Sequence, residues 1–340
     1  MSMSKADERH GELLVIRPGA IGDTLLTFPV LSALRAASPS AGLTLVGNAR
    51  VLPLARWLSV ADAVEDYADL RWSALFAEGG LDPTGLGARL RRAERVVCWL
   101  ADPEGVVERN LREAGVTAAT IRPGRPPAGT HLHATSYLAQ TLGLAFDLDR
   151  AESCRYRLPS AVLEQEPPLF SAAPLVIHPG SGSAAKCWPA SHFAAVVRWA
   201  WARDWPVLVL AGPADHERLA ELLRALPTPS PDRIKVLIDL PLLRVAAQIQ
   251  RARCYLGNDS GLSHLAGLLG VPTVALFGPT DPAVWRPLGP AVVAVRSQPL
   301  DQLAVEVVVR HIEQLARSPT EDFWGWGEAK RGTSVPETGL

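Results

Sequence analysis

A short apolar run, a turn rich in Gly, Ser or Asp, and then a helical pattern: this unit recurs along the chain and narrows its fold to parallel α/β architectures. The sharpest instance is Tyr255-Leu256-Gly257-Asn258-Asp259-Ser260-Gly261-Leu262-Ser263-His264-Leu265-Ala266. The strand ends in a polar cluster and a helix begins at once. Asp and Ser favour helix N-caps, and Gly lets a ligand approach the backbone. The first helical amides lack internal partners and sit at the positive end of the helix dipole, which suits phosphate. A capped turn with a core-facing His is the plain alternative, and the rest of the chain decides between them.

The 340 residues suit two ordinary domains, and 48% hydrophobic with 20% charged residues is globular composition. A net charge of −1 gives no global signal for nucleic acid. Lysine occurs only as Lys5, Lys186, Lys235 and Lys330, with Arg supplying the other cations. A Lys inside a motif is therefore informative, because it brings a compact point charge where this chain otherwise uses a planar fork. Cys98, Cys154, Cys187 and Cys254 show no metal or redox spacing, and a reduced, cytoplasmic setting fits them. Residues 1–10 lack the apolar stretch of a signal peptide, and no apolar run is long enough to span a bilayer.

The first half opens with a buried-type strand, Leu13–Arg17, then the turn Pro18-Gly19-Ala20-Ile21-Gly22-Asp23 and an amphipathic helix expected over Thr24–Ala37. Further strands are expected at Leu43–Val46 and Val96–Leu100, with a helix over Leu86–Arg95. Pro159–Pro174, rich in Pro, Glu and Ser, reads as a linker. The pattern restarts at Leu175–His178 and continues with strands at Val207–Leu210, Val236–Ile238 and Val271–Phe277, and helices at Ser191–Arg203, Asp215–Leu226 and Leu242–Arg251. This predicts an N-terminal Rossmann-like domain over residues 1–165, a second over 166–317, and a tail, 318–340, that crosses back or is disordered. In such sheets ligands bind at the carboxyl ends of the strands, which is where the Gly-, Ser- and Asp-rich loops fall.

The loop Gly180-Ser181-Gly182-Ser183-Ala184-Ala185-Lys186 can offer amides and hydroxyls to a phosphate, with Lys186 neutralising a diphosphate. It lacks Gly-Lys-Ser/Thr and so is not a P-loop, and Gly19-Ala20-Ile21-Gly22 does not make a dinucleotide fingerprint. Asp23 can cap its helix, act as a general base at a cleft, or do both. Glu217 can accept hydrogen bonds from a ribose or simply favour its helix start. The Arg89, Arg91, Arg92, Arg95 group could meet an acidic acceptor or form a solvated helix face. Trp57, Trp72 and Trp99 read as core.

Four motifs together resemble glycosyltransferase family 9, the ADP-heptose:lipopolysaccharide heptosyltransferases. They are Ile16–Leu25, the Gly/Ser loop with Lys186 and Trp188-Pro189, the Gly257–His264 turn, and Ala275-Leu276-Phe277-Gly278-Pro279-Thr280-Asp281-Pro282. The resemblance implies a GT-B fold, two Rossmann-like domains facing across a cleft, and an inverting transfer without metal or cofactor. Asp23 would deprotonate the acceptor, with Lys186 assisting departure of the diphosphate. Ser181, Gly182, Ser183, Lys186, Ser260 and Gly261 would hold the diphosphate, and Asp259 and His264 the sugar or phosphate. Glu217 would hold the ribose, the Leu240 region the base, and Gly22, Arg89 and Arg92 the acceptor.

The implied partners are a nucleotide-sugar donor, ADP-heptose favoured, and a glycolipid or envelope-glycan acceptor. The implied site is cytoplasmic, with peripheral contact at the inner face of the cytoplasmic membrane left open. Two other readings share the fold: a nucleotide-sugar epimerase or hydrolase, and a non-catalytic nucleotide-sugar sensor. A retained Asp23 argues against the sensor, because donor binding alone does not need it.

Overall fold

A computed structural model describes residues 11–227 and 232–317; the expected tail lies outside the described residues, as does the polar N-terminus. Among the described residues, eleven strands form two parallel sheets. The first contains β1 (Glu12–Arg17), β2 (Gly42–Gly47), β3 (Ala63–Asp66), β4 (Arg95–Trp99) and β5 (Ala119–Arg122), in the order β3-β2-β1-β4-β5. The second contains β6 (Leu175–His178), β7 (Val207–Ala211), β8 (Ile234–Ile238), β9 (Cys254–Asn258), β10 (Thr273–Phe277) and β11 (Val292–Arg296), in the order β11-β10-β9-β6-β7-β8. Both orders reverse direction once, between β1 and β4 and between β6 and β9. A crevice opens at that reversal, outside the carboxyl ends of the strands. These two points position everything that follows.

The central strands are apolar throughout because helices cover both faces. Leu13 to Ile16 and Leu175 to Ile177 are almost completely buried. One apolar cluster runs through both domains, joining Leu13, Val15 and Phe28 to Val176, Tyr255 and Leu265. The segment between the sheets adds polar ties. The Tyr156 amide donates to the Leu268 carbonyl at 2.8 Å, and the Leu158 amide to Gln250 Oε1 at 2.8 Å.

Several boundaries differ from the sequence expectation. The first helix is two, Ile21–Leu25 and Phe28–Ala37. Pro29 has no N–H for the Leu25 carbonyl, and the Thr27 amide and hydroxyl both turn back to the Thr24 carbonyl, at 3.1 and 2.6 Å. The Pro159–Pro174 stretch includes a helix, Ser160–Gln165. Strands β3 and β5 were not expected, because as edge strands of mixed sequence they carry little hydrophobic signal; β11, an apolar run over Val292–Arg296, was not expected either. Trp72 and Trp99 are buried, but Trp57 is 44% exposed at the end of a short surface helix.

Candidate active site

The loop after β1 and the loops after β6 and β9 face each other across the interdomain cleft. The helix Ile21–Leu25 of the first domain meets the helix Gly261–Leu268 of the second, mouth against mouth. Contact this close needs glycine on both sides. A Cβ on Gly261 would lie 2.8 Å from Ile21 Cβ and 3.1 Å from the Gly22 nitrogen, and a Cβ on Gly22 would lie 3.0 Å from His264 Cδ2. Asp23 of one domain thus shares a cleft with Asp259, Ser260 and His264 of the other.

Asp23 is 8% exposed. Its Oδ2 accepts from the Ala20 amide at 3.1 Å, so it caps its own helix as the sequence allowed. Arg17 Nη2 stands 3.3 Å from Oδ1, and Arg125 Nη2 stands 3.1 Å from Oδ2. Burial alone would push this carboxyl up, but the Arg125 hydrogen bond, the Arg17 charge and the Ala20 amide together hold it below the usual carboxylate range. Asp23 is therefore a carboxylate at neutral pH, the form that accepts a proton. Arg17 is itself locked by the Gly124 carbonyl at 2.8 Å, whereas Arg125 is 69% exposed.

Across the cleft, Lys186 Nζ donates to Asp259 Oδ2 at 2.7 Å, and the Thr280 hydroxyl donates to the same oxygen at 2.8 Å. The Ser181 hydroxyl donates to the Asp259 carbonyl at 2.7 Å, drawing the Gly/Ser loop onto the helix mouth. Gly182 and Ser183 are exposed on that loop. Asn258 is fully buried beneath it, accepting from the Trp188 amide at 3.0 Å and donating to the Pro179 and Gly180 carbonyls at 2.9 and 3.2 Å. Ser260 occupies the N-cap position, yet its side chain makes no cap hydrogen bond and turns to His178 Nδ1 at 3.2 Å. The leading amides of the helix are thereby left to a ligand. His264 is buried with no hydrogen-bond partner for Nδ1, and burial holds its imidazole below the ordinary histidine range against the opposing charges of Asp259 and Asp23.

The structure brings together Gly22, Asp23, Ser181, Lys186, Asp259, Ser260, Gly261 and His264. Glu217 is exposed in the first turn of the helix His216–Arg224, where the buried acid is its neighbour Asp215; Leu240 is half-buried at the entry to the helix Leu242–Ile249. Arg89 and Arg92 need correction. The Arg89 guanidinium is held by Glu12 at 2.8 Å and by Glu65 at 2.6 Å, and the charge of Arg92 bears on Glu12. Glu12 opens β1, at the opposite end of the strand from the Asp23 loop. Two carboxylates neutralise Arg89 there, so it braces the first sheet. The cations beside Asp23 are Arg17, which ends β1, and Arg125, from the loop after β5. The sequence reading did not single out Arg17, Arg125, Asn258 or Thr280; Arg17, Asn258 and Thr280 lie inside the four motifs, while Arg125 follows a strand too short to notice.

The sequence matches the profile of glycosyltransferase family 9 (heptosyltransferase) over residues 116–310, more than half of the chain. It is 25% identical over 287 residues to lipopolysaccharide heptosyltransferase 1 of Pseudomonas aeruginosa, spanning 79% of each protein. It is 34% identical over 116 residues to lipopolysaccharide heptosyltransferase 3 of Escherichia coli, a match that spans 33% of each protein. The fold is similar to a crystal structure of the glycosyl transferase family 9 protein from Veillonella parvula, with a TM-score of 0.74 at 19% identity over 91% of this chain and 98% of that one. It is also similar to Escherichia coli heptosyltransferase WaaC with ADP, with a TM-score of 0.64 at 20% identity over 89% and 99% of the two chains. Among the described residues no helix is long and apolar enough to cross a membrane. With two Rossmann-like sheets facing across a cleft in the GT-B manner, this chain belongs to glycosyltransferase family 9, the heptosyltransferase family.

Proposed function

We propose that this glycosyltransferase moves heptose, or a closely related sugar, from ADP-heptose to a lipopolysaccharide-core or other envelope-glycan acceptor. The observation that carries the reading is the meeting of Asp23, ionised and at the mouth of one domain, with the Lys186–Asp259–Ser260 cluster at the mouth of the other. A base and an anion-binding cradle in one cleft are what sugar transfer from a nucleotide diphosphate requires.

In this mechanism the acceptor hydroxyl attacks the anomeric carbon on the face opposite the diphosphate. The new carbon–oxygen bond forms as the bond to the diphosphate oxygen breaks, and the configuration inverts. The hydroxyl proton passes to Asp23, and the electron pair of the broken bond leaves with ADP. Lys186, the Ser181–Ser183 loop and the amides at Ser260 and Gly261 stabilise the growing charge without a metal. Asp259 exchanges part of its hold on Lys186 for the sugar hydroxyls, and His264 stays a neutral donor or acceptor beside them. Glu217 holds the ribose, and Leu240 lines the base pocket. Gly22 lets the two helix mouths close beside Asp23, where the acceptor is met, and Arg125 replaces Arg89 and Arg92 as the cation on the acceptor side. The enzyme works in the cytoplasm, peripherally at the inner membrane face where a glycolipid acceptor would be met.

Calorimetric binding of ADP, UDP and GDP to the full chain tests the donor. Selective binding of ADP is expected. Selective binding of UDP or GDP would replace the donor base, and an intact protein that binds none of the three would refute the nucleotide-sugar reading.

A further inference from the structure

Behind the Gly/Ser loop lies a buried pair to which the mechanism above gives no work. His178 is the last residue of β6, and Asp215 follows the loop after β7; they are 5% and 6% exposed. His178 Nε2 lies 2.9 Å from Asp215 Oδ2, which also accepts from the Gly212 amide at 2.8 Å. On the other side of the ring, Nδ1 lies 3.2 Å from the Ser260 hydroxyl. The carboxylate is packed directly under the loop: a Cβ on Gly180 would come within 1.8 Å of Asp215 Oδ1.

The donor directions follow from the chemistry. An ionised carboxylate only accepts, so Nε2 carries a proton in every state. If the ring is neutral, Nδ1 must accept from the Ser260 hydroxyl, and Ser260 then shows lone pairs to the cleft. If the ring is charged, Nδ1 donates to Ser260 Oγ, and the hydroxyl proton is released to the cleft or to Ser263 Oγ at 3.4 Å, where a diphosphate oxygen is the stronger acceptor. An anion needs the second state. Charge balance points the same way. Lys186 is already matched by Asp259 at 2.7 Å, so with a neutral ring Asp215 leaves an unbalanced negative charge behind the phosphate site. Such a charge would repel a diphosphate at this low-dielectric position.

We infer that donor binding draws one proton onto His178, and that the Asp215–His178 pair is a positioning device that turns Ser260 into a hydrogen-bond donor to the diphosphate. This rests on the proposed function, which puts the diphosphate at Ser260. The charged and titratable groups facing the pair come from several elements. Asp215 is faced by His216 on its own helix and by the Cys187 thiol from the Gly/Ser segment; Tyr255 from β9 senses Asp215 and bonds Ser260 and Ser263; Lys186 and Asp259 stand at the mouth. Burial pushes Cys187 and Tyr255 up, so both stay neutral. His216 is exposed and paired with Asp239 at 3.0 Å.

The test is calorimetric titration of ADP into the full chain at several pH values from about 6 to about 9, in two buffers of different ionisation enthalpy. Within this range wild-type protein is expected to take up protons on binding ADP, approaching one per ADP. His178→Gln and Asp215→Asn should abolish the uptake, and His216→Asn should keep it. His178→Gln and Ser260→Ala should each weaken ADP about ten- to a hundredfold, the range of one hydrogen bond to a charged group. Binding without uptake, uptake unchanged in His178→Gln, or uptake lost in His216→Asn overturns this inference alone. Wild-type protein that does not bind ADP overturns the ADP-donor reading and this inference with it. Should the buried variants fail to fold, nitrogen-15 spectra of the wild-type histidines decide: His178 is expected as imidazolium in the ADP complex, and a neutral ring there overturns the inference.

Discussion

Replacing Gly261 by Ala adds one methyl group at the closest contact between the domains. Its Cβ would stand 2.8 Å from Ile21 Cβ and Cγ2. Comfortable carbon–carbon contact is about 3.5–4.0 Å, so the contact is short by about 0.7–1.2 Å. The helix Gly261–Leu268 is almost wholly buried against its sheet and cannot retreat. The first domain must therefore move back by about 1 Å, carrying Asp23 with it. A misplacement of that size costs about a hundredfold in rate, or about 2.7 kcal/mol of barrier. Stability should change much less, because Ala gains about 1 kcal/mol over Gly within a helix while overpacking costs about 1–3 kcal/mol. The assay is transfer from ADP-heptose at saturating donor, alongside ADP affinity and Tm. We expect kcat down about a hundredfold, ADP affinity within about threefold and folding retained, since the misplacement falls on the acceptor side. Gly79→Ala, with nothing within 4 Å of its Cβ, is the control and should behave as wild type. Wild-type kcat in Gly261→Ala would refute the claim that this contact sets the cleft geometry.

Three further outcomes follow from particular contacts. Asn258→Ala strips partners from the buried Trp188 amide and from the Pro179 and Gly180 carbonyls, so denaturant unfolding should show a loss of about 3 kcal/mol, with weaker ADP binding; an unchanged midpoint would contradict the loop's dependence on Asn258. Arg125→Ala removes the hydrogen bond that most lowers the Asp23 pKa, so the acid limb of kcat/KM should move to higher pH, activity being lost as pH falls through that pKa; an unmoved limb would show that Asp23 does not set it. His133, buried with Nε2 3.0 Å from the Arg286 carbonyl across the domain boundary, has its pKa lowered by burial to about 4. The unfolded chain therefore binds the extra proton first. Stability from this group is full above about pH 6.5 and falls as pH drops toward about 4, by about 3 kcal/mol, and urea midpoints for wild type and His133→Gln should converge over that window.

Much of the architecture was legible because buried parallel strands such as Leu13–Arg17 and Leu175–His178 are continuous apolar runs closed by Gly-rich turns. Edge strands such as Ala63–Asp66 and Ala119–Arg122 were not, since their half-exposed faces tolerate any composition. That blindness reached the site: with β5 unseen, the loop carrying Arg125 had no reason to lie at the same sheet edge as Asp23. The Arg89 cluster misled for the complementary reason. A run of cations on a helix looks available until its partners, Glu12 and Glu65, arrive from distant strands. Residues with local signatures, Asp23 after Gly22 and Asp259-Ser260-Gly261 at a helix start, could be read directly. The pairing of Lys186 with Asp259 spans 73 residues and depends on the sheet order, which no local pattern encodes.

The central claim is that Asp23 serves the chemistry and the facing domain holds the donor. Transfer and ADP affinity measured side by side for Asp23→Ala test it most directly. The account predicts transfer reduced at least about a thousandfold, as loss of a positioned general base allows, with ADP affinity within about threefold of wild type. Transfer near the wild-type rate, or a loss of ADP affinity as large as the loss of rate, would contradict it.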